Sequence, residues 1–218
     1  MLLKQDRNTY KTWFFDCDGV LLDSNRIKSE GMREVAAYFS PGMADDFVEY
    51  HRNNAGVSRF VKFNYFFSTM LERKEYQRDF EIALRIFADC CFDKMMTCDL
   101  APRLVEWLKA LPLDSKKYII SGGLQSELQE IFRHRKLDSY FDGIFGSPMT
   151  KEENLSYIDR SFSPNRPALF VGDSLYDYEV AKKFSFDFVF VSAWSDFSEW
   201  QAYFADKDVA IISLVTEL

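Results

Sequence analysis

Two aspartates stand one residue apart in Asp16-Cys17-Asp18-Gly19-Val20, directly after the apolar run Trp13-Phe14-Phe15. In an extended segment, residues two apart point the same way, so both carboxylates can converge on one ligand while Gly19 lets the chain turn behind them. Like charges at that spacing require a cation or a shared proton. Hard oxygen donors beside open space suit Mg²⁺, which keeps several waters and commonly joins a carboxylate to a phosphate. The same residues also read as a strand end followed by a turn and an aspartate cap.

Three later apolar runs end in polar residues of the same kind. After Tyr118-Ile119-Ile120 come Ser121-Gly122-Gly123 and an expected helix from Leu124 to about Arg135. A hydroxyl with free N–H groups at a helix start cradles phosphate, or simply caps the helix. Thr150-x-x-Glu153 is a capping box that puts Lys151 in a first helical turn, where a cation opposes the helix dipole unless an anion is close. Ala168-Leu169-Phe170-Val171 leads into Gly172-Asp173-Ser174-Leu175-Tyr176-Asp177. Asp173 can join Asp16 on a metal. Asp177 can do the same, or can close a capping box on Ser174.

These groups meet only if the elements that carry them bring them together. Thr12–Phe15, Tyr118–Ile120, Gly143–Phe145, Ala168–Val171, Phe188–Val191 and Val209–Ile212 read as strands alternating with helices. That pattern predicts an α/β fold with a doubly wound parallel sheet, in which all strand carboxyl ends face one crevice. About a hundred residues separate the first two strands. Asn25 to Thr97 shows helical spacing instead, as in Phe60, Phe63, Phe66, Phe67, Met70 and Leu71, so residues 25–97 are expected to form an inserted helical module between core segments 1–24 and 98–218. Ser40-Pro41-Gly42 and Thr97 to Pro102 supply its turn and hinge, and the Phe stripe its core.

The 218 residues, 47% of them hydrophobic and 17% aromatic with 22 Phe, predict a globular chain with a substantial core. A formal net charge of −7 argues against a nucleic-acid partner. Lys4, Gln5, Asp6, Arg7 and Asn8 interrupt any leader-like apolar run near the start, and no 18-residue apolar stretch follows, so neither a membrane partner nor export is expected. The expected location is the cytoplasm. Cys17, Cys90, Cys91 and Cys98 lack ligand or disulfide spacing, with Cys17 pointing away from the flanking acids. His51 and His134 are expected at surface or cap positions.

With Asp-x-Asp, Ser, Lys and Gly-Asp-x-x-x-Asp at four successive strand ends, the chain resembles the haloacid-dehalogenase-like hydrolase superfamily over essentially its whole length. The resemblance implies a Rossmann-like core under an all-helical cap, and an Mg²⁺-dependent phosphatase working through an aspartyl-phosphate. It makes Asp16 the nucleophile and Asp18 the acid/base, with Asp18 also offering its backbone carbonyl to the metal. Ser121 and Gly122 bind the phosphate, Lys151 neutralises its charge, and Asp173 and Asp177 complete the metal site directly or from just outside it. Dehalogenases and phosphonatases of the superfamily lack an acid at the second position, so Asp18 points to phosphoryl transfer. Gly56-Val57-Ser58-Arg59 is similar to a cap segment of the β-phosphoglucomutase-like branch, where the arginine grips a distal phosphate. That branch carries a histidine ten residues after the acid/base, whereas this chain has Lys28, which with Arg26 could add positive charge at the cap hinge. A phosphatase of a small metabolite, a sugar phosphate or phosphoglycolate-like molecule, therefore ranks ahead of a phosphomutase or a non-catalytic binding protein. A monomer or homodimer is expected.

Overall fold

The protein is described by a computed structural model covering residues 6–218. Lys4 and Gln5 of the N-terminal reading lie outside the described residues. Six strands form one sheet: β1 (Thr12–Phe15), β2 (Lys116–Leu124), β3 (Gly143–Ser147), β4 (Ala168–Gly172), β5 (Asp187–Val191) and β6 (Ala210–Ile212). Their order is β3-β2-β1-β4-β5-β6 and every pairing is parallel. Strands run outward from β1 in both directions, so the order reverses between β1 and β4. A crevice opens at such a switch point, beyond the strand carboxyl ends.

The sheet is buried on both faces, which is why its strands read as continuous apolar runs. All four residues of β1 are buried, and the period of two divides them. Trp13 and Phe15 pack with Trp107 and Leu108 of α5 (Leu104–Lys109) and with Leu128, Ile131 and Phe132 of α6 (Gln125–His134). Phe14 faces the other way, into a core with Leu155 and Ile158 of α7 (Lys151–Phe162), Val180 and Ala181 of α8 (Leu175–Lys183) and Phe204 of α9 (Trp200–Phe204). Cys17 lies in the first of these cores, turned from the acids beside it.

Between β1 and β2 the described chain is helical: α1 (Asn25–Phe39), α2 (Ala44–Asn53), α3 (Arg59–Tyr65) continued by a π-helical turn over Phe66–Met70, and α4 (Gln77–Thr97). Pro41–Met43 makes the expected turn after α1 as one 3₁₀ turn. These helices bury their own aromatic cluster, in which Phe47, Phe63, Phe66 and Phe67 are all inaccessible. Among the described residues no helix is long and apolar enough to cross a membrane.

Two local expectations are corrected. The chain does not leave the sheet at Ser121: β2 continues to Leu124, and α6 begins only at Gln125. Ile120 pairs with Phe145 and Leu124 with Ser147, so four residues of β2 advance against two of β3. Ser121-Gly122-Gly123 is thus a bulge, a device that re-aims side chains without ending the strand. His51 is not at the surface but buried in the helical layer beside Lys62, whereas His134 is exposed at the end of α6 as expected.

Phe66 lies 4.5 Å from the Phe47 ring and 5.3 Å from the Phe67 ring. Phe66→Ala is expected to cost about 3–5 kcal/mol, read as a lower urea midpoint. Val61→Ala, on the exposed side of α3, should change it by less than about 0.5 kcal/mol.

Candidate active site

The switch point sets the site. Phe15 is in register with Val171, and the Asp16 N–H still donates to the Val171 carbonyl at 2.9 Å, so Asp16 and Asp173 leave adjacent strands almost level. Carboxylate oxygens of Asp16, Asp173 and Asp177 fall within 4.8 Å of one another, and all three residues are buried. Lys151, brought in by the first turn of α7 and 1% exposed, puts its Nζ 2.9 Å from Asp16 Oδ2 and 2.5 Å from Asp177 Oδ1. The capping box Thr150–Glu153 fixes that turn. An ammonium that would oppose the dipole of α7 is held there by two anions.

Electrostatics in the cluster are unbalanced. With all three acids ionised, one cation leaves two negative charges over. Burial pushes Asp16 up to about 7 against the pull of Lys151, with the charges of Asp177 and Asp18 adding to the rise. Asp173 is likewise raised well above the usual carboxylate range, by burial and then by Asp16 and Asp177. For Lys151 burial works downward, yet the attraction of Asp16 and Asp177 outweighs it and holds the ammonium above its ordinary value. Buried hard oxygens carrying surplus negative charge are the donor set of a divalent cation.

Within that set the acids differ in what already occupies them. Asp173 Oδ2 accepts from Asn25 Nδ2 at 2.8 Å, and Asn25 also reaches the Trp194 carbonyl at 2.7 Å. Both Asp177 oxygens are engaged, Oδ1 by Lys151 and Oδ2 by the hydroxyl (2.6 Å) and N–H (3.2 Å) of Ser174, in a complete capping box. Cap and cluster member are therefore the same residue. The Asp18 side chain stands apart from the cluster: its Oδ1 accepts from Ser24 Oγ at 2.6 Å and lies 3.5 Å from Lys28 Nζ. Ser24 and Lys28 share a face at the start of α1. Gly19, at φ +76°, has no room for a Cβ, which would sit 2.1 Å from Asp173 Oδ2.

Asp16, Asp18, Arg59, Gly122 and Asp173 line one cleft between sheet and helices. Ser121, Lys151 and Asp177 do not line it and are buried. The Ser121 hydroxyl accepts from the Gly123 N–H at 3.0 Å. The helical layer meets the bulge backbone to backbone, since a Cβ on Gly122 would lie 2.3 Å from the Gly56 carbonyl oxygen. Arg59, buried under the layer, donates through Nη1 and Nη2 to both oxygens of Glu127 on α6 at 2.9 and 2.5 Å, and its guanidinium lies 4.4 Å above the Phe87 ring. An anion reaching Arg59 must share it with Glu127. Arg26 is exposed and pairs with Glu30 at 3.2 Å.

The sequence reading missed Asn25, Ser24, Glu127, His51 and Lys62. Arg59-x-x-Lys62 was a usable signal, because residues three apart share a helix face. Nothing local marks Glu127 as the partner of Arg59, 68 residues away.

A family model described as haloacid dehalogenase-like hydrolase matches residues 13–191. No curated protein matches the chain significantly. Among solved structures, a predicted phosphatase from Clostridium acetobutylicum is similar at 20% identity and a TM-score of 0.73, covering 94% of each chain. A haloacid dehalogenase-like hydrolase from Streptococcus pneumoniae is similar at 18% identity and a TM-score of 0.68, over 93% of this chain and 94% of the other. CbbY from Rhodobacter sphaeroides, in complex with phosphate, is similar at 15% identity and a TM-score of 0.69, over 96% of each.

Removing one member of a buried ion cluster strands the others. Lys151→Met should destabilise the protein by about 3–5 kcal/mol in chelator-treated buffer at neutral pH, measured by urea unfolding. Wild-type stability in that variant would mean that the acids do not depend on the lysine.

Proposed function

This chain belongs to the haloacid dehalogenase-like hydrolases, and from that premise we propose that it is an Mg²⁺-dependent phosphatase of a small phosphorylated metabolite, a sugar phosphate or a phosphoglycolate-like molecule. The observation that carries this reading is the different setting of two carboxylates two residues apart. Asp16 is packed against Lys151 inside the acid cluster, while Asp18 is held away from it by Ser24 and Lys28, and both line the same cleft. Unlike environments divide one pair of acids into unlike roles.

Asp16 attacks phosphorus in line, giving an aspartyl-phosphate as the substrate P–O bond breaks. Asp18 gives its proton to the departing oxygen. The same carboxylate then takes a proton from water as that water attacks the aspartyl-phosphate, releasing phosphate and restoring Asp16. Lys151 neutralises the phosphoryl oxygens from beside Asp16. The Ser121 hydroxyl, which accepts from Gly123, retains its own proton to donate to one of them, next to Gly122. Asp16, Asp173 and the Asp18 carbonyl would hold Mg²⁺, with Asp177 supporting them through Lys151. Bound there, the ion supplies charge neutralisation on the transferred group.

Residues 25–97 act as a cap over core segments 1–24 and 98–218. Arg59 and Glu127 pair across the joint beside a partly open cleft lined by residues of both cap and core. A cap of this kind limits access to small molecules and keeps bulk water from the chemistry. Phosphate bound to a structural relative supports the same assignment.

Asp16→Asn should lower phosphate release from small phosphate esters at least about 10³-fold without loss of fold by circular dichroism. Retained turnover in a clean preparation would overturn the assignment. Activity should vanish in excess chelator, return with Mg²⁺, and be inhibited by Ca²⁺, whose larger and looser coordination does not enforce octahedral geometry. Full turnover in chelator would remove the metal from the mechanism.

A further inference from the structure

Four basic side chains, Lys28, Arg59, Lys62 and Lys151, sit in or beneath the cleft, and three of them are matched by carboxylates. Lys28 faces Asp18, Arg59 faces Glu127, and Lys151 faces Asp16 and Asp177. Lys62 lines the cleft from α3, is 2% exposed, and makes no salt bridge among the described residues. Its Nζ lies 2.9 Å from His51 Nδ1 and donates to the His51 carbonyl at 3.3 Å.

Burying an ammonium without an anion is unfavourable. Burial pulls Lys62 down to about 7, and the more distant charges of Asp196 and Asp18 oppose this only in part. Asp196 also lines the cleft, and Arg52 Nε lies 3.9 Å from it. His51 is held well below its usual range by burial and by the Lys62 charge, so its ring is neutral. A neutral ring whose Nδ1 accepts from Lys62 carries its proton on Nε2. The pair therefore offers donors without acceptors: one ammonium N–H left over from the two directed at His51, and the imidazole Nε2–H. An apolar residue would fill this position at lower cost, so the charge calls for a partner that arrives from outside.

We infer that Lys62 and His51 form a subsite for a second anionic group on the substrate, which makes the natural substrate a small bisanion: a phosphate ester that also carries a carboxylate or a second phosphate. This rests on the phosphatase reading and narrows it. The transferred phosphoryl group belongs at Asp16, and the second anion enters the cap side of the same cleft, where Arg59 is already occupied by Glu127.

Binding of three non-hydrolysable probes by isothermal titration in Mg²⁺ buffer tests the subsite without turnover. Methylphosphonate has one anionic group, 3-phosphonopropionate adds a carboxylate, and propane-1,3-diphosphonate adds a second phosphonate. Wild-type protein should bind one of the two bisanions at least about tenfold more tightly than methylphosphonate, and which one identifies the second group. Lys62→Met, an unbranched replacement that keeps the site filled, should abolish that preference. Equal affinities for all three in wild type, or a preference that survives Lys62→Met, would overturn the subsite. Phosphate release from p-nitrophenyl phosphate is followed separately. Its absence both there and from small phosphate esters carrying a carboxylate or second phosphate would defeat the phosphatase reading, whereas turnover with flat probe affinities would defeat only this inference.

Discussion

One buried ammonium ties the catalytic end of the sheet together. Asp16 follows β1, Lys151 opens the helix after β3 and Asp177 sits in the first turn of the helix after β4, so the lysine joins the ends of three strand–helix units. Because β2 lies between β3 and β1, the side chain has to reach across a neighbouring strand, which suits the long stem of lysine. Its Nζ ends about equally far from the Phe170 and Tyr176 rings, at 6.0 and 5.9 Å, faces that favour a cation. Two unit charges 4 Å apart interact by about 4 kcal/mol at an effective dielectric near 20, so three convergent carboxylates without this cation would push the strand ends apart. The capping boxes of α7 and α8 are then more than local stability devices, since they fix where Lys151 and Asp177 meet.

The helical layer is joined to the sheet by a different kind of contact. Its aromatic cluster is separate from the two sheet cores. Across the joint, Ile27, Phe92, Met95 and Met96 of the helices pack into the first sheet core, and Arg59 on Glu127, Lys28 on Asp18, and Gly56 against Gly122 add polar and backbone contacts. The two chain crossings run side by side, with the Asp23 N–H donating to the Asp99 carbonyl at 2.9 Å. The same joint brings Lys62 and His51 into the cleft with Asp16.

Much of this was legible from composition and order. Six apolar runs, each bounded by turn residues, placed six strands to within a few residues, because a strand buried on both faces has to be continuously apolar. Thr150-x-x-Glu153 and Ser174-x-x-Asp177 gave two helix starts, since capping is a contact between residues three apart. The bulge at Ser121-Gly122-Gly123 was not legible. It depends on how far β2 slips against β3, a register set by the partner strand and only permitted by the glycines themselves.

Residue type and spacing by themselves determined which groups could do chemistry and at which strand ends they stand: Asp16, Asp18, Ser121, Lys151, Asp173 and Asp177. Only the tertiary structure decided which of those groups share a charge. It put Asp177 on Lys151, sent Asp18 to Ser24 and Lys28, spent Arg59 on Glu127, and left Lys62 buried beside His51 with no salt bridge among the described residues. The reason is physical: capping and periodicity act over a few residues along the chain, whereas the energy of a buried charge depends on burial and on partners that the fold brings from dozens or hundreds of residues away.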